Sequence, residues 1–355
     1  MNARQLLEAL VNIPSVSGNE EALADFLQRS LGEEGFVVRR EGDSIWFTLG
    51  SGEEPRLLLV SHLDTVPPCE GWQSDPSKLQ SEGEKLIGLG ANDAKGSVAA
   101  MIMAARALQT QELDGSVTFA FVAGEEGGGE GIRAIKPKLG VIDAAIVGEP
   151  TGLEICIAQR GMLLLQCIAH GESAHVAHAQ LSDNAIHKAA RDIARLAAME
   201  FPAHHSLGAT RAQVTEISGG LARNQIPDRC EFFVDLRTTP NLDHVEVAGE
   251  IEAALESEVR VHSDRYLPVA TGENEPIVRA ALRAADKTRG VGSVTASDWA
   301  FLKGILAVKA GPGETERSHR PNEFILVSEL EAGATFYSRA VRNYFELVAK
   351  EHVHV

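Results

Sequence analysis

The sequence has no paired-cysteine motif. Its four cysteines, Cys69, Cys156, Cys167 and Cys230, lie far apart with no C-x-x-C spacing, so neither a disulfide framework nor a thiolate zinc site is suggested. Any metal would need nitrogen and oxygen ligands. No apolar run is long enough to span a bilayer, and the first ten residues alternate polar and apolar at helical spacing where a signal peptide would be unbroken and apolar. A soluble, cytoplasmic chain is expected. Basic residues are in deficit: 33 Lys and Arg face 50 Asp and Glu, a formal net charge of −17. Such a surface repels nucleic acid phosphates and anionic membranes, so neither is expected as a partner. The glycine stretches Gly88-Leu89-Gly90 and Gly127-Gly128-Gly129 lack the spacing of a dinucleotide fingerprint or a P-loop. They read as tight turns.

What is present suits two domains, since 355 residues exceed a typical single core. The run Leu57-Leu58-Leu59-Val60 reads as a strand covered on both faces. A helix over 95–108 and strands over 117–122 and 144–147 follow, the alternation of a mainly parallel sheet with helices on its faces. From about residue 160 the order changes to strand (162–169), helix (182–199), strand (212–217), strand (230–236), helix (242–255) and strand (259–262). That is the β-α-β-β-α-β order of a ferredoxin-like α+β unit. The β/α pattern resumes with a helix over 276–286, a strand over 305–310 and a helix over 328–347. The expected division is therefore 1–157, an insertion 158–266, and 267–355.

In an open parallel α/β sheet, ligands bind at the carboxyl ends of the strands. Those ends carry Ser61-His62-Leu63-Asp64, Ala123-Gly124-Glu125-Glu126, Gly148-Glu149-Pro150 and Gly311-Pro312-Gly313, with His319 shortly after the last. Asp93 adds a carboxylate in Gly90-Ala91-Asn92-Asp93-Ala94-Lys95-Gly96. Histidines and carboxylates on converging loops suit zinc, which accepts both at about 2.0 to 2.2 Å, and one carboxylate bridging two ions would set them about 3.5 to 4 Å apart. Asp93 is the candidate bridge. Glu125 and Glu126 can divide the work of ligand and general base, and Asp64 suits the support of a metal-bound His62 imidazole. Each residue alone has a plainer reading: Asp93 as a helix cap, the glutamates as solvated loop charges, His62 as a bonded core residue. Convergence at one edge is what favours the joint site.

These segments, together with Glu125-Glu126-Gly127, Gly148-Glu149-Pro150-Thr151 and Gly219-Gly220-Leu221-Ala222-Arg223-Asn224-Gln225-Ile226-Pro227, resemble in order the metallopeptidase family of acetylornithine deacetylase, succinyl-diaminopimelate desuccinylase and carboxypeptidase G. The likeness covers nearly the whole chain. It implies one metal held by His62, Asp93 and Glu149 and another by Asp93, Glu126 and His319, with Glu125 as general base and Asp64 behind His62. Zinc is the implied metal, cobalt a possible substitute. The resemblance also makes the insertion a lid and dimerisation domain, with His175 from Ser173-Ala174-His175 reaching a partner's site in a homodimer, and Asn224 and Arg237 as substrate-carboxylate contacts, although Arg237 reads equally well as paired with a carboxylate of the insertion itself. The loop after His175, Val176-Ala177-His178-Ala179-Gln180-Leu181, departs from the family pattern. There His178 reads as a surface histidine.

The expected activity is hydrolysis of a small N-acyl amino acid, N-acetylornithine or a relative such as N-acetylcitrulline or an acyl-lysine. Succinyl-diaminopimelate and carboxypeptidase or dipeptidase substrates are the alternatives, and a non-catalytic binding protein of the same fold is the competing class.

Overall fold

The apolar run at 57–60 becomes the middle of a strand, Arg56–His62, in which every residue after the first is buried. Side chains on both faces of such a strand need cover on both sides, and the computed structural model, which describes residues 1–50 and 54–352, supplies it. Arg56–His62 runs parallel to Ser116–Val122 on one side and to Ala144–Val147 on the other, and Leu306–Lys309 extends the parallel set. At one edge Ser44–Gly50 pairs antiparallel with Ser116–Val122, and Arg39–Glu41 pairs antiparallel with Ser44–Gly50.

Period-two alternation divides the two faces of this sheet. Leu57, Leu59, Val117, Phe119 and Ile146 share one core cluster with the helices Ala3–Val11, Glu21–Glu33, Lys95–Gln109, Pro276–Ala284 and Val327–His352. The alternate residues Leu58, Val60, Ala120 and Val147 are equally buried but lie outside that cluster. The short helix Glu130–Ile135 and the 3-10 turn Asp298–Phe301 touch the sheet without joining the cluster, and so cover the second face. The architecture is α/β with a mainly parallel sheet.

The chain divides into two compact units. The sheet just described belongs to the unit made of Met1–Ile157, Thr271–Val291 and Ser297–Val355, and the other unit is Ala158–Ala270 with Gly292–Ala296. The second unit holds a four-stranded antiparallel sheet in the spatial order Ala212–Gly219, Arg229–Leu236, Met162–His170, Glu258–Tyr266, the ferredoxin-like arrangement. Strand Arg229–Leu236 alternates outward and inward residues and buries Cys230, Phe232, Val234 and Leu236. Its two helices begin at side-chain caps: Asn184 accepts from the Ile186 and His187 amides at 2.9 and 3.2 Å, and Asp243 from those of Val245 and Glu246 at 2.8 and 3.2 Å.

The boundaries of this unit differ from the sequence division 158–266. The unit continues to Ala270, because Val269–Ala270 pairs with Gln159 and Ala158. It also takes back Gly292–Ala296, where the Arg160 amide donates to the Ser293 carbonyl at 3.1 Å. Both additions are made by backbone pairing, which has no side-chain signature.

Candidate metal centre

Parallel pairing places the carboxyl ends of Arg56–His62, Ser116–Val122, Ala144–Val147 and Leu306–Lys309 at one edge of the sheet. His62 ends the first strand, Glu125 and Glu126 follow the second, Glu149 the third, and His319 lies on the loop after the fourth. Asp93 arrives separately, on the turn before helix Lys95–Gln109. That turn needs Gly90: its φ is +77°, and a Cβ there would come within 2.7 Å of Thr65 Cγ2. Asp93 does not cap the helix, whose N-cap is Ala94 with no side-chain bond. Its carboxylate is free to face the other ligands.

Asp93 Oδ1 lies 3.2 Å from His62 Nε2, and its Oδ2 lies 3.8 Å from His319 Nε2. His319 Nε2 is also 2.7 Å from Glu126 Oε1. Three overlapping groups result, each with donor atoms within 4.8 Å of one another: His62, Asp93 and Glu149; Asp93, Glu126 and His319; and His62, Glu125 and Glu126. One imidazole with two carboxylates is a donor set suited to zinc and similar divalent ions. With one oxygen turned to each side, Asp93 has the geometry of a bridge between two ions. The residues present fit a metal pair.

The His62 ring is oriented from behind. Its Nδ1 lies 3.0 Å from the Asp64 backbone carbonyl and 3.5 Å from the Asp64 carboxylate, so an Nδ1–H donated there leaves Nε2 for a metal. The nearer acceptor is thus the main chain of Asp64. Its carboxylate accepts from Ser17 Oγ at 2.7 Å and from the Glu125 and Glu126 amides at 3.0 Å each. Asp64 therefore positions the Glu125-Glu126 turn as well as the ring.

Burial sets the electrostatics. It pushes Glu149 up to about 8 and, with the Glu149 charge added, raises Glu125 well above the usual carboxylate range. Asp298, also buried, is pushed to about 7, and neither of its carboxylate oxygens meets a hydrogen-bond partner among the described residues. For Asp93 burial acts upward too, but the bond to His62 overrides it and the carboxyl is lowered. For His62 burial acts downward, and hydrogen bonds to Asp64 and Asp93 carry it well above its ordinary value. Hydrogen bonding to Glu126 raises His319 to about 9. So dense a set of acids, with protons held tightly by its own histidines, is a site that a divalent cation would relieve by displacing protons.

The remaining candidates lie in the second unit. His175 is exposed in the short strand Ala174–His175, which pairs with Gln225–Ile226 next to Asn224. The Ala177 amide donates to His175 Nδ1 at 3.1 Å. His178 is exposed and stands edge-on to His175, with ring centroids 6.4 Å apart. Arg237 is paired bidentately with Asp235, at 2.9 and 3.0 Å, two residues back on the same chain.

Sequence reasoning missed several residues that hold the site. Glu20 is buried and accepts from the Gly124 amide at 3.1 Å. Ser17 donates to Asp64, and Lys95 Nζ donates to the Leu10 and Ile13 carbonyls at 3.0 Å each. Glu323 accepts from three amides of the Asp93 turn. Apart from Lys95, which sits in a quoted motif, these are single polar residues with no periodic or motif signal; only the fold brings them to the edge.

Comparisons with known proteins identify the family of the chain. A succinyl-diaminopimelate desuccinylase of Stenotrophomonas maltophilia is 31% identical over 369 residues, covering 94% of this chain and 96% of that protein. A probable carboxypeptidase of Aspergillus fumigatus is 27% identical, covering 98% and 87%. Among solved structures, the aminopeptidase PepT of Bacillus cereus superposes with a TM-score of 0.82 at 22% identity, covering 97% of this chain and 98% of that one. The YXEP protein of Bacillus subtilis, described as a dinuclear metal-binding peptidase, gives 0.76 at 17% identity, with 98% of each covered. The model of peptidase family M20/M25/M40 matches residues 58–343, a span from the His62 strand to the last helix that includes every ligand candidate, and the chain is accordingly a member of that family and a metal-dependent hydrolase.

Proposed function

We propose that the protein hydrolyses the amide bond of a small N-acyl amino acid, with N-acetylornithine or a relative such as N-acetylcitrulline or an acyl-lysine as substrate. The observation that carries the reading is Asp93, which offers one oxygen towards His62 and the other towards His319. His62, Asp93 and Glu149 would hold one ion and Asp93, Glu126 and His319 the second, zinc in the first instance with cobalt as a substitute. What the ions supply when bound is polarisation of the amide carbonyl and a water whose pKa is drawn down towards about 7.

The residues supply the proton traffic. Glu125 takes the proton of the attacking water and returns it to the leaving nitrogen, a role suited to a buried carboxylate on the turn beside Glu126. His175 serves as oxyanion donor in a partner's site, in a homodimer formed through the second unit. Its Nδ1 already accepts from Ala177, which in the neutral ring leaves the proton on Nε2, as a donor requires. Asn224 meets the substrate carboxylate, and Arg237 does so on release from Asp235.

A second reading is favoured by the fungal relatives, the probable carboxypeptidases: cleavage of a C-terminal peptide bond by the same residues. A desuccinylase reading follows likewise from the bacterial relatives. The test is amine release from N-acetyl, N-succinyl and N-formyl amino acids and from dipeptides, with and without chelator. Chelator-sensitive turnover of N-acetylornithine or N-acetylcitrulline supports the leading reading. Turnover of dipeptides alone, or of the succinyl substrate alone, replaces it, and silence of the zinc-loaded protein across the panel favours a binding protein.

A further inference from the structure

The loops carrying Asp93 and His319 are far apart in sequence yet are stitched together from both sides. Glu323, just after His319, is buried and turns its carboxylate onto the Asp93 turn. Its Oε1 accepts from the Asn92 and Asp93 amides at 2.8 Å each, and its Oε2 from the Gly90 amide at 3.1 Å. Its backbone carbonyl accepts from the Gly88 amide at 2.9 Å. In return, Asn92 reaches the His319 loop: Oδ1 accepts from the Glu314 amide at 2.9 Å and Nδ2 donates to the Glu314 carbonyl at 3.0 Å. Beneath both loops lies one small sheet, in which Phe324 pairs with Ile87 in antiparallel register.

A buried carboxylate is costly unless its lone pairs are filled. Here they are filled by the main chain of the bridging-ligand turn, and charge-assisted bonds to backbone amides are among the stronger neutral-partner bonds. The same turn must aim the two Asp93 oxygens in two directions. His319, on the other loop, holds a left-handed backbone with φ 59°, a conformation that a non-glycine residue keeps only when its surroundings enforce it.

We propose that Glu323 is the positioning residue that makes the Asp93 and His319 loops a single metal-holding unit, so that both ion positions depend on a side chain that ligates neither. The inference rests on the metal reading of the site. Glu323→Gln keeps the shape but turns an acceptor into a donor facing an N–H, while Glu323→Asp keeps both acceptors and withdraws them by one methylene.

The experiment is competition of each protein against a chromophoric chelator with Zn²⁺ alone, alongside thermal unfolding of the metal-free proteins and amide exchange of Gly90, Asn92 and Asp93. The expected result is a loss of zinc affinity of about 10–100-fold at both positions in Glu323→Gln, a smaller loss in Glu323→Asp, and faster exchange at the three amides. Wild-type affinity in a folded Glu323→Gln variant overturns the proposal, and so does a loss confined to one position. Should Glu323→Gln fail to fold, exchange in the metal-free wild type decides: core-like protection of the three amides supports the proposal, and loop-like exchange overturns it. A wild-type protein that takes up no zinc removes the metal reading itself, a failure distinct from equal binding by wild type and variant.

Discussion

At the residue scale the candidate ligands are held by the groups behind them. Glu125 is held by its own amide, which donates to Asp64 at 3.0 Å, so its side chain can change without the turn being lost. Glu125→Gln is expected to lower turnover by at least about 100-fold, the range for loss of a general base, while zinc uptake measured by chelator competition persists. Full turnover in that variant would remove Glu125 from the role. Asp64→Asn tests the opposite kind of residue. Its carboxylate accepts from Ser17, Glu125 and Glu126, and an amide group there sets a donor against a donor. Metal affinity should fall by about 10–100-fold, and unchanged affinity would show that the backbone carbonyl of Asp64 alone orients His62.

At the scale of elements, the loops at the sheet edge carry most of the pH dependence. Glu149, Glu323 and Asp298 have folded values of about 8, 7 and 7, all above their ordinary ones. A raised group contributes stability that is fully present below its unfolded value and is lost as pH rises through its folded value. The metal-free protein should therefore lose stability as pH rises from about 4.5 to 7. Above that, Glu149 and His319, raised to about 8 and about 9, continue the loss, while buried Lys95, lowered to about 7, acts in the opposite sense, since a lowered lysine regains stability between its folded and unfolded values. Thermal unfolding of the metal-free protein across this range checks the sign; a midpoint that rises steadily from pH 4.5 to 7 contradicts it. Because an ion held by Glu149 displaces its proton, the stabilisation by zinc should grow over the same interval. In the second unit the Asn184 cap supplies a simpler test: Asn184→Ala should cost about 1 kcal/mol, read from urea unfolding, and no change would mean that water caps the helix equally well.

For the molecule as a whole, removal of metal by chelation should abolish turnover, and zinc or cobalt should restore it. Restoration by neither would remove the zinc and cobalt assignment. A homodimer is expected in solution by light scattering, and a monomer with full activity would exclude His175 acting in trans. No helix among the described residues is long and apolar enough to cross a membrane. Much of this was legible in the chain. The apolar run at 57–60, the strand over 230–236 and the helix over 276–286 rest on local sequence, and each became a strand or helix near its expected place. The antiparallel strands Arg39–Glu41 and Ser44–Gly50 and the small sheet joining Phe324–Leu326 to Lys85–Ile87 were not anticipated. What makes these segments strands is a partner distant in sequence. The same division holds for the site. By itself the sequence determined which donor types the strand ends deliver, because parallel strands release their chains at one edge. Only the tertiary structure decided that Asp93 faces two histidines, that Arg237 is taken by Asp235, and that Ser17, Glu20 and Glu323 brace the loops of the candidate ligands: those contacts join polar groups with no periodicity, and only the folded backbone sets which of them meet.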